Sequence, residues 1–148
     1  MVCPAAYPPR DSSISQSRPA RRIIVDLRAR ELSDCDPERI CICLDTAHVF
    51  AAGYDIGSEL AIRKTFREFD RVVGGDRLVA IHVNDSKTAR GSRVDRHQHI
   101  GQGKIGLDAF RFIMRNGRFK KIPKVLETPK GKDLREDVLN LKTLRALT

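Results

Sequence analysis

Three apolar runs along the chain, Ile40–Leu44, Leu78–Val83 and the shorter Lys124–Glu127, are each followed by a stretch whose apolar residues recur at helical spacing. The first run is unbroken, which suits a parallel strand buried on both faces. After a loop through Gly53 and Gly57, Ser58 can cap a helix in which Ile62, Phe66, Phe69 and Val73 form one stripe, and Gly74-Gly75 ends it. Leu78–Val83 reads as the second strand, and residues 84–106 as a long polar loop without periodicity. Leu107, Phe110, Ile113 and Met114 make the inward stripe of the next helix, which stops at Gly117. Pro123 and Pro129 bracket the third strand, Lys124–Glu127. Asp133 with Glu136 has the spacing of a capping box, and Leu134, Val138, Leu141 and Leu144 predict the buried face of a last helix. Upstream, Ile23–Leu32 reads as a short helix, and Ser33-Asp34 with Asp36-Pro37 as a loop.

Repeated strand-helix units imply an α/β fold with parallel strands and right-handed crossovers. Three parallel strands cannot close on themselves, so the strand containing Ile40 is expected to present an open edge that invites self-association or a partner. The chain is 148 residues long, room for one domain over residues 22–148 but not for a closed (β/α)8 barrel, which takes about 250 residues. Residues 1–21 read as a disordered leader, rich in Arg and Ser like an organelle transit peptide and without the apolar core of a secretory signal. No run of 18 apolar residues predicts a membrane span. Cys3, Cys35, Cys41 and Cys43 lack the spacing of a zinc or redox motif, and buried thiols in a reducing cytoplasm are the expectation.

The charge changes the picture. Lys and Arg outnumber Asp and Glu by 28 to 19, a net charge of +9 that would attract polyanions by counterion release. Five of the basic residues, Lys87, Arg90, Arg93, Arg96 and Lys104, fall in the loop 84–106. The same loop, with the ends of the strands, holds a second kind of chemistry. Asp45, His48, His82, Asp95, His97 and Glu127 are all of types that ligate zinc, and in strand-helix folds of this kind such groups gather where strands end. Taken singly each has a plain alternative: a surface histidine, a salt-bridged glutamate, a solvated basic loop. Six on one rim point to a multi-metal site. Lys87, Arg90, Arg93 and Arg96 flank it and are candidates for contact with a polyanion, which the resemblance given next makes the phosphates of DNA. Asn84, Asp85 and Ser86 are candidate partners of His82 by proximity.

Four segments, CICLDTAHVFAAGYD (41–55), IHVNDSK (81–87), GSRVDRHQHIGQGKIG (91–106) and VLETPKG (125–131), together resemble the second half of the endonuclease IV family, zinc-dependent apurinic/apyrimidinic endonucleases with a xylose-isomerase-like TIM barrel. The resemblance runs from about Ile40 to the C-terminus. It implies a partial barrel, about the last three strand-helix units. His48, Asp95 and His97 match the ligands of one complete zinc site, and Asp45, His82 and Glu127 match three ligands of a second. The family's third zinc takes its histidines from a first half that has no counterpart here. No catalytic residue beyond the ligands is implied. The implied activity is base-excision repair: hydrolysis of the phosphodiester 5′ to an abasic site in double-stranded DNA, in a bacterial-type cytoplasm, or in a nucleus or mitochondrion if the source is eukaryotic. With the first half lacking, a truncated chain that binds zinc and DNA without cleaving is the rival expectation. A sugar isomerase or epimerase of the related barrels is another.

Overall fold

A computed structural model describes residues 41–148, so the leader, the helix expected at Ile23–Leu32, Cys3 and Cys35 lie outside the described residues. The element order is β1 (Ile42–Asp45), α1 (Thr46–Ala51), α2 (Glu59–Val72), β2 (Leu78–His82), β3 (Asp85–Ser86), β4 (His97–Gln98), α3 (Leu107–Arg115), β5 (Lys124–Val125) and α4 (Arg135–Arg145). The strands β1, β2 and β5 form one parallel sheet in that order, and β3 pairs with β4 as a small antiparallel hairpin. The α/β class and the parallel sheet of a partial barrel are as the sequence implies.

The core lies where α2 and α3 cover the sheet. Leu44 and Ile81 from the strands and Val83 just after β2 meet Ile62, Phe66 and Phe69 of α2 and Phe110 and Ile113 of α3. Ser58 caps α2 as expected, accepting from the Ala61 N–H, and Gly74 leaves the helix at φ 99°, a conformation that glycine adopts without strain. Phe119, between α3 and β5, closes this core with its ring centroid 4.8 Å from that of Phe66. Arg118 lies over both rings and forks onto the Asp70 carboxylate, so one cation seals the cluster while staying hydrogen-bonded. Burial lowers the pKa of Lys124, whose ammonium donates to the carbonyls of Phe119 and Ile122.

Several expectations need correction. The stretch after β1 is not simply a loop: Asp45 caps the short helix α1. The strand expected at Lys124–Glu127 pairs only through Lys124 and Val125, leaving Glu127 past its end. The capping box does not form. Leu134, at φ 55°, precedes α4, while Glu136 accepts from the Gly131 N–H. Leu134, Val138 and Leu141 are exposed, and Asn140 and Leu144 are what α4 buries, with Leu147 buried just past its end. The reason is that α4 leans on α3 and on the loop near His99 through its Asn140 side and its C-terminal end. Cys41 and Cys43 are exposed rather than buried, because β1 is an edge strand among the described residues. Leu107 is also partly exposed, and Ala109 and Phe112 join the buried side of α3. Because Val138 is 64% exposed, Val138→Ser is expected to change the unfolding free energy of this chain by less than about 0.5 kcal/mol, readable by urea titration. A loss of about 1.5 kcal/mol or more would mean that the residue is covered. No helix among the described residues is long and apolar enough to cross a membrane.

Candidate metal centre

The register of the sheet brings the first donors together. Asp45 and His82 are neighbours across β1 and β2, His82 and Val125 across β2 and β5, and Glu127 follows Val125 by two residues. All therefore reach the C-terminal edge of the sheet on one face. The His82 Nδ1 is 2.9 Å from Glu127 Oε2 and 3.6 Å from Asp45 Oδ2.

His48 arrives by a different route. Asp45 ends β1 in extended conformation and accepts the His48 N–H at 2.9 Å through Oδ1, so the DxxH spacing is that of a helix cap and the third residue it caps. This places the imidazole beside the carboxylate that caps its helix. Asp95 and His97 come back over the sheet on the β3–β4 hairpin, in which Ser86 pairs with His97. The loop between them is docked on α1: the N–H groups of Gly91 and Arg93 donate to the carbonyls of Phe50 and Ala51. Both turn through positive φ, 76° at Gly91 and 57° at Arg93. Residues 84–106 are thus a folded-back hairpin and its loops, not an unstructured stretch.

The result is two adjoining trios. His48 Nε2 lies 3.0 Å from Asp95 Oδ2 and 3.4 Å from His97 Nε2, and His97 Nε2 lies 3.2 Å from Asp95 Oδ1. Donors around a tetrahedral zinc, with ligand distances of about 2.0–2.1 Å, stand about 3.3 Å apart, so these separations fit that ion. Asp45, His82 and Glu127 offer donor atoms within 4.8 Å of one another, as do Asp45, His48 and His97. Asp45 sits between the trios, its Oδ2 3.7 Å from His97 Nε2.

The hydrogen-bond chemistry also fits a metal. The Nδ1 of His97 is 3.1 Å from the Glu127 carbonyl oxygen. A carbonyl only accepts, so Nδ1 carries a hydrogen and Nε2 is the ring nitrogen left to face His48 and Asp95. Asn84 does not partner His82, as proximity had implied. It is fully buried, its amide NH2 donates to Asp45 Oδ2 at 2.8 Å, and its amide oxygen accepts the Glu127 N–H at 2.8 Å. Thr46 Oγ1 accepts the Asn84 N–H and donates to the Asn84 carbonyl. Asp85, also buried, holds the loop 101–105, and Ser86 bonds within the hairpin to Thr88. These polar residues sit beside an apolar strand, but no spacing in the sequence says which ligand each would serve. A second buried amide, Asn140 of α4, ties Thr128 and His99 to Ile100 next to the site.

Lys87, Arg90, Arg93 and Arg96 are all exposed around this rim. Arg90 is paired with the Asp55 carboxylate, and Arg96 donates to the backbone carbonyl of Asp95.

Residues 27–144 match the family model described as xylose isomerase-like TIM barrel. The chain belongs to that family. Among TIM-barrel proteins of this type, it is 54% identical over 111 residues to a probable endonuclease 4 of Geobacter sulfurreducens, an alignment covering 75% of this chain and 38% of that protein. A probable endonuclease 4 of Chloroflexus aurantiacus is 54% identical over 110 residues, 74% of this chain and 39% of the relative. The crystal structure of endonuclease IV from Thermus thermophilus superposes with a TM-score of 0.64 and 41% identity, covering 72% of this chain and 38% of the other. The chain thus spans about two fifths of the length of the endonuclease IV proteins it matches.

Proposed function

We propose that the chain bears the metal-binding rim of a zinc-dependent DNA-repair endonuclease that cuts the phosphodiester 5′ to abasic sites. The observation that carries this reading is the meeting of six donor side chains at the ends of β1, β2 and β5, at separations suited to zinc, in a chain 54% identical to proteins named endonuclease 4. In this reading His48, Asp95 and His97 hold one ion, and Asp45, His82 and Glu127 contribute three donors to a second. Zinc, when bound, makes a water nucleophilic near neutral pH and offers positive charge to phosphoryl oxygens.

The chain's own residues do the rest. The Glu127 carbonyl keeps the His97 ring in the tautomer that presents Nε2. Lys87, Arg93 and Arg96 stand exposed beside the donors and hold DNA phosphates, whereas Arg90 would first have to leave Asp55. An abasic sugar has no base to unstack, so turning it toward this rim costs less than flipping an intact nucleotide. An enzyme of this kind works beside DNA, in the cytoplasm of a bacterial cell.

The test is a double-stranded oligonucleotide with one abasic site, incubated with the purified chain and zinc. EDTA-sensitive cleavage leaving a 3′-hydroxyl is expected. Salt-sensitive binding without cleavage would instead support a zinc- and DNA-binding chain that lacks catalysis, and aldose isomerisation without either would return the sugar-isomerase reading.

A further inference from the structure

We infer that Asn84 is a positioning residue that sets the donor geometry of the second trio, Asp45, His82 and Glu127, and bonds no member of the first trio directly; the inference rests on the proposed metal reading. Asn84 lies immediately after β2, between the ends of β1 and β5, and is fully buried. Its amide group can face only one way. The Asp45 carboxylate 2.8 Å from Nδ2 is an acceptor, and the Glu127 N–H 2.8 Å from Oδ1 is a donor, so a flipped amide would oppose like partners on both sides. The backbone of Asn84 is itself held on both groups by the Thr46 hydroxyl.

The consequence for Asp45 is specific. Its Oδ1 takes the His48 N–H and its Oδ2 takes the Asn84 amide, so both oxygens are oriented, and Oδ2 has one lone pair left with His82 Nδ1 3.6 Å and His97 Nε2 3.7 Å away. For Glu127 the consequence is in the backbone. The side chain has no support from a strand pairing, because β5 ends at Val125, and the bond from its N–H to Asn84 fixes where that side chain starts. One buried amide therefore links the Asp45 carboxylate to the backbone of Glu127, the two residues that His82 must meet. His48, Asp95 and His97 lie within contact of one another, His97 alone reaches the Glu127 carbonyl, and none of the three bonds Asn84 among the described contacts.

Asn84→Asp is the informative variant. It keeps the shape and the acceptor for the Glu127 N–H but turns the donor facing Asp45 into an acceptor. The experiment is a Co2+ titration of the metal-free full chain, followed by the visible absorption of the bound ion and by calorimetry, for wild type, Asn84→Asp and His97→Ala. Wild type is expected to bind two ions. Asn84→Asp should keep the tighter absorption band, attributed to the trio His97 belongs to, and bind the second ion at least about tenfold more weakly, the lower end for loss of a ligand's hydrogen-bond partner. His97→Ala should lose that first band instead. Two ions bound with unchanged affinity by Asn84→Asp would overturn the inference while leaving the metal reading intact. No Co2+ bound by wild type would overturn the metal reading and the inference with it. Should Asn84→Asp lose its far-ultraviolet circular dichroism, the wild-type side-chain amide resonance of Asn84 decides: movement at the second equivalent of Zn2+ supports the inference, and no movement at either overturns it.

Discussion

His97→Ala is expected to lower the zinc content of the purified chain by one equivalent. The substitution removes an imidazole whose Nε2 lies 3.2 Å from Asp95 Oδ1 and 3.4 Å from His48 Nε2, leaving an imidazole and a carboxylate that are both about half exposed. Two solvated donors compete poorly with water for zinc. The loss of affinity should exceed the roughly hundredfold upper end seen when only a ligand's hydrogen-bond partner is removed. The fold should survive, since His97 is not among the buried core and, among the described residues, the polar contacts of its ring go to the site and one carbonyl. Metal analysis after exhaustive dialysis, with circular dichroism as the control, reads both parts. An unchanged zinc content would remove His97 from the site.

Asp85→Ala should cost about 3–5 kcal/mol of stability, with buried N–H groups left without an acceptor at about 1–3 kcal/mol each and some relief from water entry. The Asp85 carboxylate is fully buried and accepts four backbone N–H groups: Ser86 and Ile105 on Oδ1, Gly101 and Gly103 on Oδ2. It is in effect the anchor of the loop 101–105. A Cβ on Gly103 would fall 2.3 Å from Asp85 Oδ1, so the loop can close on the carboxylate only with glycine at that position. Against a typical total of about 5–15 kcal/mol, such a loss leaves a marginal protein. Urea unfolding gives the magnitude, and amide exchange at Gly101, Gly103 and Ile105 locates it. A variant as stable as wild type would mean that the loop finds other acceptors.

The sheet was legible because continuous apolar runs such as that ending at Leu44 have few alternatives in a chain with helical stripes between them. The Ser58 cap and the Gly74 exit of α2 were legible for the same local reason. What local pattern could not carry was anything decided by tertiary contact. Asp133 and Glu136 had the spacing of a capping box, but Glu136 turns back to Gly131. Leu134, Val138 and Leu141 had helical spacing, yet α4 rests on its neighbours through Asn140 and Leu144. The residue types of the site were readable from chemistry. Their supports were not: nothing in IHVND distinguishes an Asn84 that serves Asp45 and Glu127 from one that serves His82, because that depends on sheet register.

The parallel order of the sheet also bears on when the site comes into being. Asp45 and Asn84 are 39 residues apart in sequence, Asn84 and Glu127 are 43 apart, and His48 and His97 are 49 apart. Each of these contacts must wait for the closure of a long crossover, which is slow compared with forming α2 or α3 locally. The rim of donor side chains is therefore expected to assemble late on the folding route, after the helices have formed. In the proposed metal reading, a chain caught midway would carry helical structure without affinity for the ion, and an ion that binds only the completed rim would draw late intermediates forward by mass action.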